Sequence, residues 1–338
     1  MKKFKDIVTI AEVGLAHDGS YALACSYIYK AKKAGADCVK FQTHIADAES
    51  SAYDQFRVRS KFFDDKTRKD YWERTSFKKE QWIKLKNLTE KLGMFFLSSP
   101  FSVEAAKMLN ALNIRAWKVG SGELTNFSLL DYLAKTNKPI ILSTGLSNYK
   151  EISEALKIIK KKNSDIVLMQ CTSLYPCPPE LIGLNVIEEM KKKFKVKVGF
   201  SDHSGDPGVG IAAFSLGASM IETHVCFDKD IQTFDSSSSL TFEEFSMMNV
   251  AIKKLQTVLK NNYDKNKIIN KLKKNKILFE KSIYIKKNMS KNSIINFKDM
   301  VFKKPVIGIH AKYYNKIIGK RLRKNVLSNQ PLKSKDIF

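Results

Sequence analysis

GFSDHSGDPGVGIAAFSLGASMIETH, Gly199 to His224, reads with Val198 as a strand, a polar loop, a small-residue helix and a second strand. Val198 to Phe200 runs into Ser201-Asp202-His203, and Ser219 to Ile221 runs into Glu222-Thr223-His224. In a βαβ unit both strands point the same way, so His203 and His224 emerge side by side at the carboxyl edge of a parallel sheet. Two imidazoles with Asp202, Glu222 and Asp235 nearby suit a borderline divalent cation such as Mn2+, Fe2+, Co2+ or Zn2+, with open positions left for water. The competing reading is a pair of hydrogen-bonded histidines that end their strands and bind nothing.

Outward from this unit the rhythm repeats. Apolar runs of strand length occur at Ile7 to Val13, Cys38 to Gln42, Phe95 to Ser98, Ala116 to Val119, Ile140 to Ser143, Ile166 to Gln170, Val196 to Phe200 and Ser219 to Thr223. Helix-like stretches at Ala22 to Ala34, Lys79 to Leu92, Val103 to Leu112, Ser128 to Ala134 and Lys150 to Lys161 lie between them. Eight strands alternating with helices predict a (β/α)8 TIM barrel in preference to an open doubly wound sheet.

Each predicted strand ends at polar or ionisable residues: Glu12 and His17, Lys40 and Gln42, Ser98 and Ser99, Lys118 and Ser121, Ser143 and Thr144, Thr172 and Ser173, Asp202 and His203, Glu222 and His224. Barrel chemistry is built on that edge. Lys40 and Lys118 lie inside apolar runs, where an unpaired ammonium costs several kcal/mol unless an anion meets it. Ser99, Ser121, Ser143 and Ser201 offer hydroxyls, and Gly120, Gly122 and Gly145 let backbone amides approach, which together suit a phosphate. No Walker or GxGxxG loop points to a nucleotide instead.

The net charge of +25 raises the question of nucleic acid. The lysines cluster at Lys160 to Lys162, Lys191 to Lys197 and Lys265 to Lys287, with only Phe194, Phe279 and Tyr284 among them and no regular interleaving of aromatics on one element. This pattern reads as a solvated surface, with no nucleic-acid or membrane partner. The five cysteines show no CxxC or disulfide rhythm, no window has the length of a membrane span, and MKKFKDIVTIAEVG is unlike a cleaved leader. A cytoplasmic location is the expectation.

Ala46 to Thr75 is too long, charged and aromatic for a plain connection and is expected to shape a pocket at the barrel rim. The reading divides the chain into a barrel over residues 1–260, a mobile, partly helical linker over 261–280 and a small domain over 281–338. The small domain contains an echo at a constant offset of 37, pairing Lys287 with Lys324, Asn288 with Asn325, Asn292 with Asn329, Ile295 with Leu332 and Asp299 with Asp336. Two copies suggest a compact fold with approximate internal two-fold symmetry and little core of its own.

The motifs EVGLAHDG (Glu12 to Gly19), VKFQTH (Val39 to His44), LSSPFS (Leu97 to Ser102), KVGSGEL (Lys118 to Leu124), ILSTG (Ile141 to Gly145), QCTSLYP (Gln170 to Pro176), GFSDHS (Gly199 to Ser204) and ETHV (Glu222 to Val225) resemble, in order, the sialic acid synthase family. That family joins phosphoenolpyruvate to an N-acyl amino sugar. The resemblance implies a TIM barrel followed by a small antifreeze-like (SAF) domain, and a homodimer whose exchanged C-terminal domain caps the partner's barrel. By the same resemblance His203 and His224 are the metal ligands, with Mn2+ first among the ions and Mg2+ or Co2+ as alternatives. Lys40, Ser99, Lys118, Ser121, Ser143 and Ser201 match the phosphoenolpyruvate site. Gln42, Glu123, Ser173, Tyr175 and Asp235 match positions that hold the open-chain sugar, and Glu12 and Glu222 are the acid and base candidates.

Two departures bear on the acceptor. Lys304, in Lys304-Pro305-Val306-Ile307-Gly308-Ile309, stands where the family commonly has an acceptor-contacting arginine, and Ser173 stands where some N-acetylmannosamine users carry asparagine. The alternatives are another phosphoenolpyruvate-dependent 3-deoxy-2-keto sugar acid synthase, or a metal-dependent aldolase on the same barrel, which would accept pyruvate.

Overall fold

The structure is a computed structural model that describes residues 3–56, 64–162 and 165–338. Part of the expected rim insertion, residues 57–63, lies outside the described residues. The chain divides into two compact units, Met1–Val258 and Leu259–Phe338.

In the first unit eight parallel strands run β1 (Thr9–Gly14), β2 (Cys38–Thr43), β3 (Phe95–Pro100), β4 (Trp117–Val119), β5 (Ile140–Ser143), β6 (Ile166–Gln170), β7 (Lys197–Asp202) and β8 (Ile221–Cys226). They pair in the order β3-β2-β1-β8-β7-β6-β5-β4, and β3 also packs beside β4. Helices Tyr21–Lys33, Lys79–Lys91, Val103–Ala111, Phe127–Lys135, Tyr149–Lys160, Asn185–Phe194, Pro207–Ser215 and Phe242–Lys260 follow the strands in turn. This is the expected (β/α)8 barrel. The first and last strands begin two residues later than their apolar runs predict. At β1 the reason is local: Asp37 Oδ2 accepts from the Val8 and Thr9 amides at 2.9 and 3.1 Å.

Strand alternation sorts the side chains into two cores. Val13, Val39, Phe41, Phe96, Trp117, Val119, Leu142, Leu168, Val198 and Phe200 belong to one buried cluster with helix residues such as Ile28, Leu85, Leu109, Leu133 and Ile159. Ile10, Cys38, Phe95, Leu97, Ala116, Ile141, Val167, Met169 and Met220 form a second cluster that fills the barrel. One alternation further along, the same inward rows reach Glu12, Lys40, Ser99, Lys118, Ser143, Ser201 and Glu222, all buried. Apolar layers thus plug the barrel below, and a polar layer sits on them at the carboxyl edge.

In the second unit strand Ser282–Ile285 pairs antiparallel with strand Met300–Lys303. Lys265–Ile268 and Lys273–Phe279 are helical within the stretch expected to be a linker. The sequence echo is an echo in structure. Asn292 and Asn329 both adopt left-handed φ, 67° and 60°. The Lys291 amide donates to Asn325 Oδ1 at 2.8 Å, and its counterpart, the Ser328 amide, donates to Asn288 Oδ1 at 2.8 Å. Met289 and Val326 exchange both backbone hydrogen bonds at 2.9 Å. Asp299 and Asp336 each accept from the amide three residues before them. The unit has more core than its length predicts, because both repeats turn their apolar residues inward: Ile283, Ile285, Ile295, Met300, Ile317, Leu322, Val326 and Leu332 are all buried.

Candidate active site

The polar layer opens into a cavity of about 420 Å3 lined by Glu12, Lys40, Gln42, Ser99, Lys118, Ser121, Ser143, Ser173, Tyr175, Ser201, His203, Glu222, His224 and Asp235. Fourteen of the sixteen residues singled out from the sequence therefore meet in one place. Register explains the meeting. Glu12 on β1 stands opposite Lys40 on β2 and His224 on β8, and Ser201 on β7 stands opposite Glu222 on β8.

At the cavity floor the two lysines interlock with the two glutamates. Lys40 Nζ lies 2.7 Å from Glu12 Oε1 and 3.5 Å from Glu222 Oε1, and it donates to Ser99 Oγ at 3.3 Å. Lys118 Nζ donates to Glu222 Oε1 at 2.8 Å from across the barrel. The anions that meet both ammoniums inside the chain are thus carboxylates. Burial alone would discharge Lys40, but Glu12 and Glu222 more than offset it and hold its pKa up. Burial would likewise raise Glu222, yet Lys118 and Lys40 pull it below the usual carboxylate range. Glu12 Oε2 and Glu222 Oε2 are buried and have no hydrogen-bond partner among the described residues.

On one side of this floor the segments that follow β4, β5 and β6 come together. The Gly145 amide donates to Ser121 Oγ at 3.1 Å, and Cys171 Sγ lies 3.3 Å from the same hydroxyl. A side chain at Gly145 would put its Cβ 2.5 Å from Ser173 Oγ and 2.8 Å from Cys171 Sγ, so the close approach of β5 and β6 at the cavity wall requires glycine.

On another side stand the imidazoles, with ring centres 5.8 Å apart. His203 Nδ1 lies 2.7 Å from the Thr172 carbonyl, so that nitrogen carries the proton and Nε2 keeps its lone pair. Burial, helped by His224, pushes the His203 pKa down to about 3, which leaves the ring neutral. His224 Nδ1 lies 3.8 Å from Asp235 Oδ2, and the Tyr175 ring stacks on His203 at 4.1 Å. Among the described residues no group of three His, Cys, Asp or Glu side chains could hold an ion. The donor set is two imidazoles, which fits a borderline divalent ion that keeps several positions for water or substrate.

Two expected residues lie elsewhere. Glu123, on the turn Ser121–Glu123 after β4, accepts from Asn126 Nδ2 at 2.8 Å and lines a second cavity with Asp47, Glu49, Trp72 and Phe101. The turn carries it out of the inward row, and burial raises its pKa. Lys304 belongs to the second unit, with its ammonium 5.4 Å from the centre of the Phe279 ring.

The sequence reading missed the aromatic wall of the first cavity: Phe56, Tyr71, Trp72, Phe101 and Phe234, with Leu15 and Arg68. Tyr71, Trp72 and Leu15 form a buried cluster with Ala46, Phe56 and Phe234. The aromatic content of Ala46 to Thr75 was the available signal. It marked the segment without saying which rings turn inward.

With this geometry in place, similarity to known proteins becomes specific. The NeuB family profile matches residues 27–264, and the SAF domain profile matches residues 280–337. The chain belongs to the NeuB family. It is 32% identical over 335 residues to pseudaminic acid synthase of Campylobacter jejuni, covering 98% of this chain and 97% of that one. It is 34% identical over 330 residues to N,N'-diacetyllegionaminic acid synthase of the same organism, covering 95% and 97%. Human N-acetylneuraminate-9-phosphate synthase is 32% identical over 252 residues, 74% of this chain and 70% of that protein. Among solved structures, a sialic acid synthetase from Leptospira borgpetersenii superposes with a TM-score of 0.70 at 26% identity, covering 79% and 90%. These relatives are named as synthases of pseudaminic, legionaminic and sialic acids, and this chain carries a (β/α)8 barrel and an SAF domain. Among the described residues no helix is long and apolar enough to cross a membrane.

Proposed function

We propose that the chain is a phosphoenolpyruvate-dependent nonulosonic acid synthase, condensing phosphoenolpyruvate with an open-chain N-acyl amino sugar and releasing phosphate. The observation that carries this reading is the buried floor in which Lys40 and Lys118 meet Glu12 and Glu222 beside the serines of four strand ends. Lys118, Lys40 and the hydroxyls of Ser99, Ser121, Ser143 and Ser201 bind the phosphate and carboxylate of phosphoenolpyruvate. Gln42, Ser173, Tyr175 and Asp235 hold the sugar against the aromatic wall, with Glu123 as an outer contact, and in a homodimer the exchanged small domain would bring Lys304 to the partner's barrel.

His203 and His224 would hold a divalent metal, Mn2+ by preference, which when bound polarises the sugar aldehyde as a Lewis acid. The methylene carbon of phosphoenolpyruvate forms the new bond to the aldehyde carbon, whose oxygen takes up a proton and becomes a hydroxyl. The cationic carbon left behind takes a water molecule. Glu12 or Glu222, whose Oε2 atoms have no partner among the described residues, accepts one of the water's protons, which balances the proton taken up at the sugar oxygen. The other leaves with phosphate as the carbon–oxygen bond breaks and the ketone forms, and phosphate keeps the bridging oxygen. Excluding bulk water from the cavity before condensation would limit loss of the enol phosphate.

Phosphoenolpyruvate, Mn2+ and each of N-acetylmannosamine and its 6-deoxy diacetamido relatives are incubated with the enzyme, and product mass and phosphate release are read. With 18O in the bridging position, the label should appear in phosphate. Label retained in the keto acid, or turnover with pyruvate in place of phosphoenolpyruvate, would replace this mechanism with an aldolase.

A further inference from the structure

His44 lies at the end of β2, two residues beyond Gln42, and is buried. Its ring is parallel to Trp72 within 1° at 4.0 Å and to Phe101 within 15° at 4.3 Å. Two rings cannot share one face at that distance, so the imidazole is sandwiched between them. Its Nδ1 contacts Glu49 Oε1, and its Nε2 lies 3.3 Å from Gln42 Oε1. Gln42 Nε2 in turn donates to Glu12 Oε1 at 3.0 Å, the oxygen that also meets Lys40.

A carboxylate only accepts, so Gln42 must turn its amide nitrogen toward Glu12 and its oxygen toward His44. That oxygen also only accepts, so His44 donates from Nε2. The Glu49 carboxyl group meets the other ring nitrogen, so both nitrogens are engaged while Trp72 and Phe101 hold the ring plane. Glu49 Oε2 has no partner among the described residues, so its hydrogen bonding is committed to His44.

We propose that His44 is a positioning residue: held by Glu49 between Trp72 and Phe101, it fixes the Gln42 amide and through it orients Glu12 for the acceptor half of the reaction. The inference rests on the synthase reading for its kinetic consequence, but not for its geometry. Gln42, Trp72 and Phe101 line the cavity, whereas Ser121, Ser143 and Ser201 follow or end other strands. Disturbing His44 therefore disturbs the acceptor wall more than the serine side.

His44→Phe keeps a ring in the sandwich and removes both hydrogen bonds, while His44→Gln keeps a donor toward Gln42. His44→Phe should lower kcat roughly tenfold and raise the acceptor KM, with the phosphoenolpyruvate KM within about twofold, and His44→Gln should recover part of the loss. Nitrogen NMR of the full-length protein should show a proton on His44 Nε2, and a Gln42 side-chain amide signal that shifts in His44→Phe. An Nε2 without its proton, an unmoved Gln42 amide, or wild-type kinetics in His44→Phe overturns the proposal. If the wild type turns over no sugar, the synthase reading fails, and the two NMR signals still decide the role of His44.

Discussion

Lys118→Met tests whether the lysines and glutamates at the barrel floor act as one buried unit. The ammonium lies 2.8 Å from Glu222 Oε1, with the two side chains 3% and 5% exposed. The other cation facing that oxygen, Lys40, is at 3.5 Å. Removing one partner of a buried pair costs about 3–5 kcal/mol, because the remaining charge is stranded without water. Lys40 still faces Glu222, so the lower end, about 3 kcal/mol, is expected here. At about 2–4 °C per kcal/mol for a unit of this size, the melting temperature falls by roughly 6–12 °C. Adding Glu222→Gln removes the stranded charge, so the double variant regains most of the loss, with a coupling energy of about 2 kcal/mol. Urea and thermal unfolding of the wild type, both single variants and the double variant give the four corners of the cycle. Additive losses, or a Lys118→Met protein as stable as the wild type, would refute the account of the floor. Kinetics of the same variant carry the second half: its KM for phosphoenolpyruvate should rise far more than its KM for the sugar. A weakened sugar constant with an unchanged phosphoenolpyruvate constant would move Lys118 to the acceptor side.

Activity should require a divalent ion, and His203→Ala or His224→Ala should lower affinity for Mn2+ measured by calorimetry; full activity in excess chelator counts against a metal. Gly145→Ala should raise the phosphoenolpyruvate KM at least about tenfold, since its methyl must displace Ser173, Cys171 or Ser121, and unaltered kinetics would show that the wall yields. His17 is buried, accepts from the Gly19 amide through Nδ1 at 3.1 Å, and has a pKa pushed down to about 3 by burial and by His44. Its folded pKa lies below the unfolded value, so its contribution is intact above pH 6.5 and is lost as pH falls from there toward 3, by about 2 kcal/mol at pH 5. Urea midpoints should therefore drop less between pH 7 and 5 in His17→Asn than in the wild type; equal drops would remove His17 from the acid sensitivity. Refolding His203→Ala chains together with Lys304→Ala chains should restore activity if Lys304 serves the partner's barrel, because one site then combines an intact barrel with an intact small domain. No recovery above the two parent variants would argue for assembly within one chain.

The eight strands were legible because alternation is local: a row such as Cys38, Lys40, Gln42 carries its own record of an apolar layer passing into a polar one. The two histidines and the serines were legible for the same reason, since strand ends in a parallel barrel share one edge. The repeat in the small domain was readable in its paired residues, whereas the left-handed φ that Asn292 and Asn329 share came only from the backbone, where each copy meets the same demand. Glu123 shows the limit of that reasoning: it is two residues from Ser121, yet a short turn faces it into a different cavity.

What tertiary structure alone decided are contacts between strands that are not neighbours. Lys118 and Glu222 are 104 residues apart, on β4 and β8, and meet only because the curved sheet brings opposite strands face to face across the interior. Sequence could say that a buried ammonium needs an anion, but not that a carboxylate of the same chain would be that anion. The orientation of His44 is likewise set by Trp72, Phe101, Glu49 and Gln42 together. Local periodicity records which face a side chain takes, while closure of the barrel determines which side chains that face then meets.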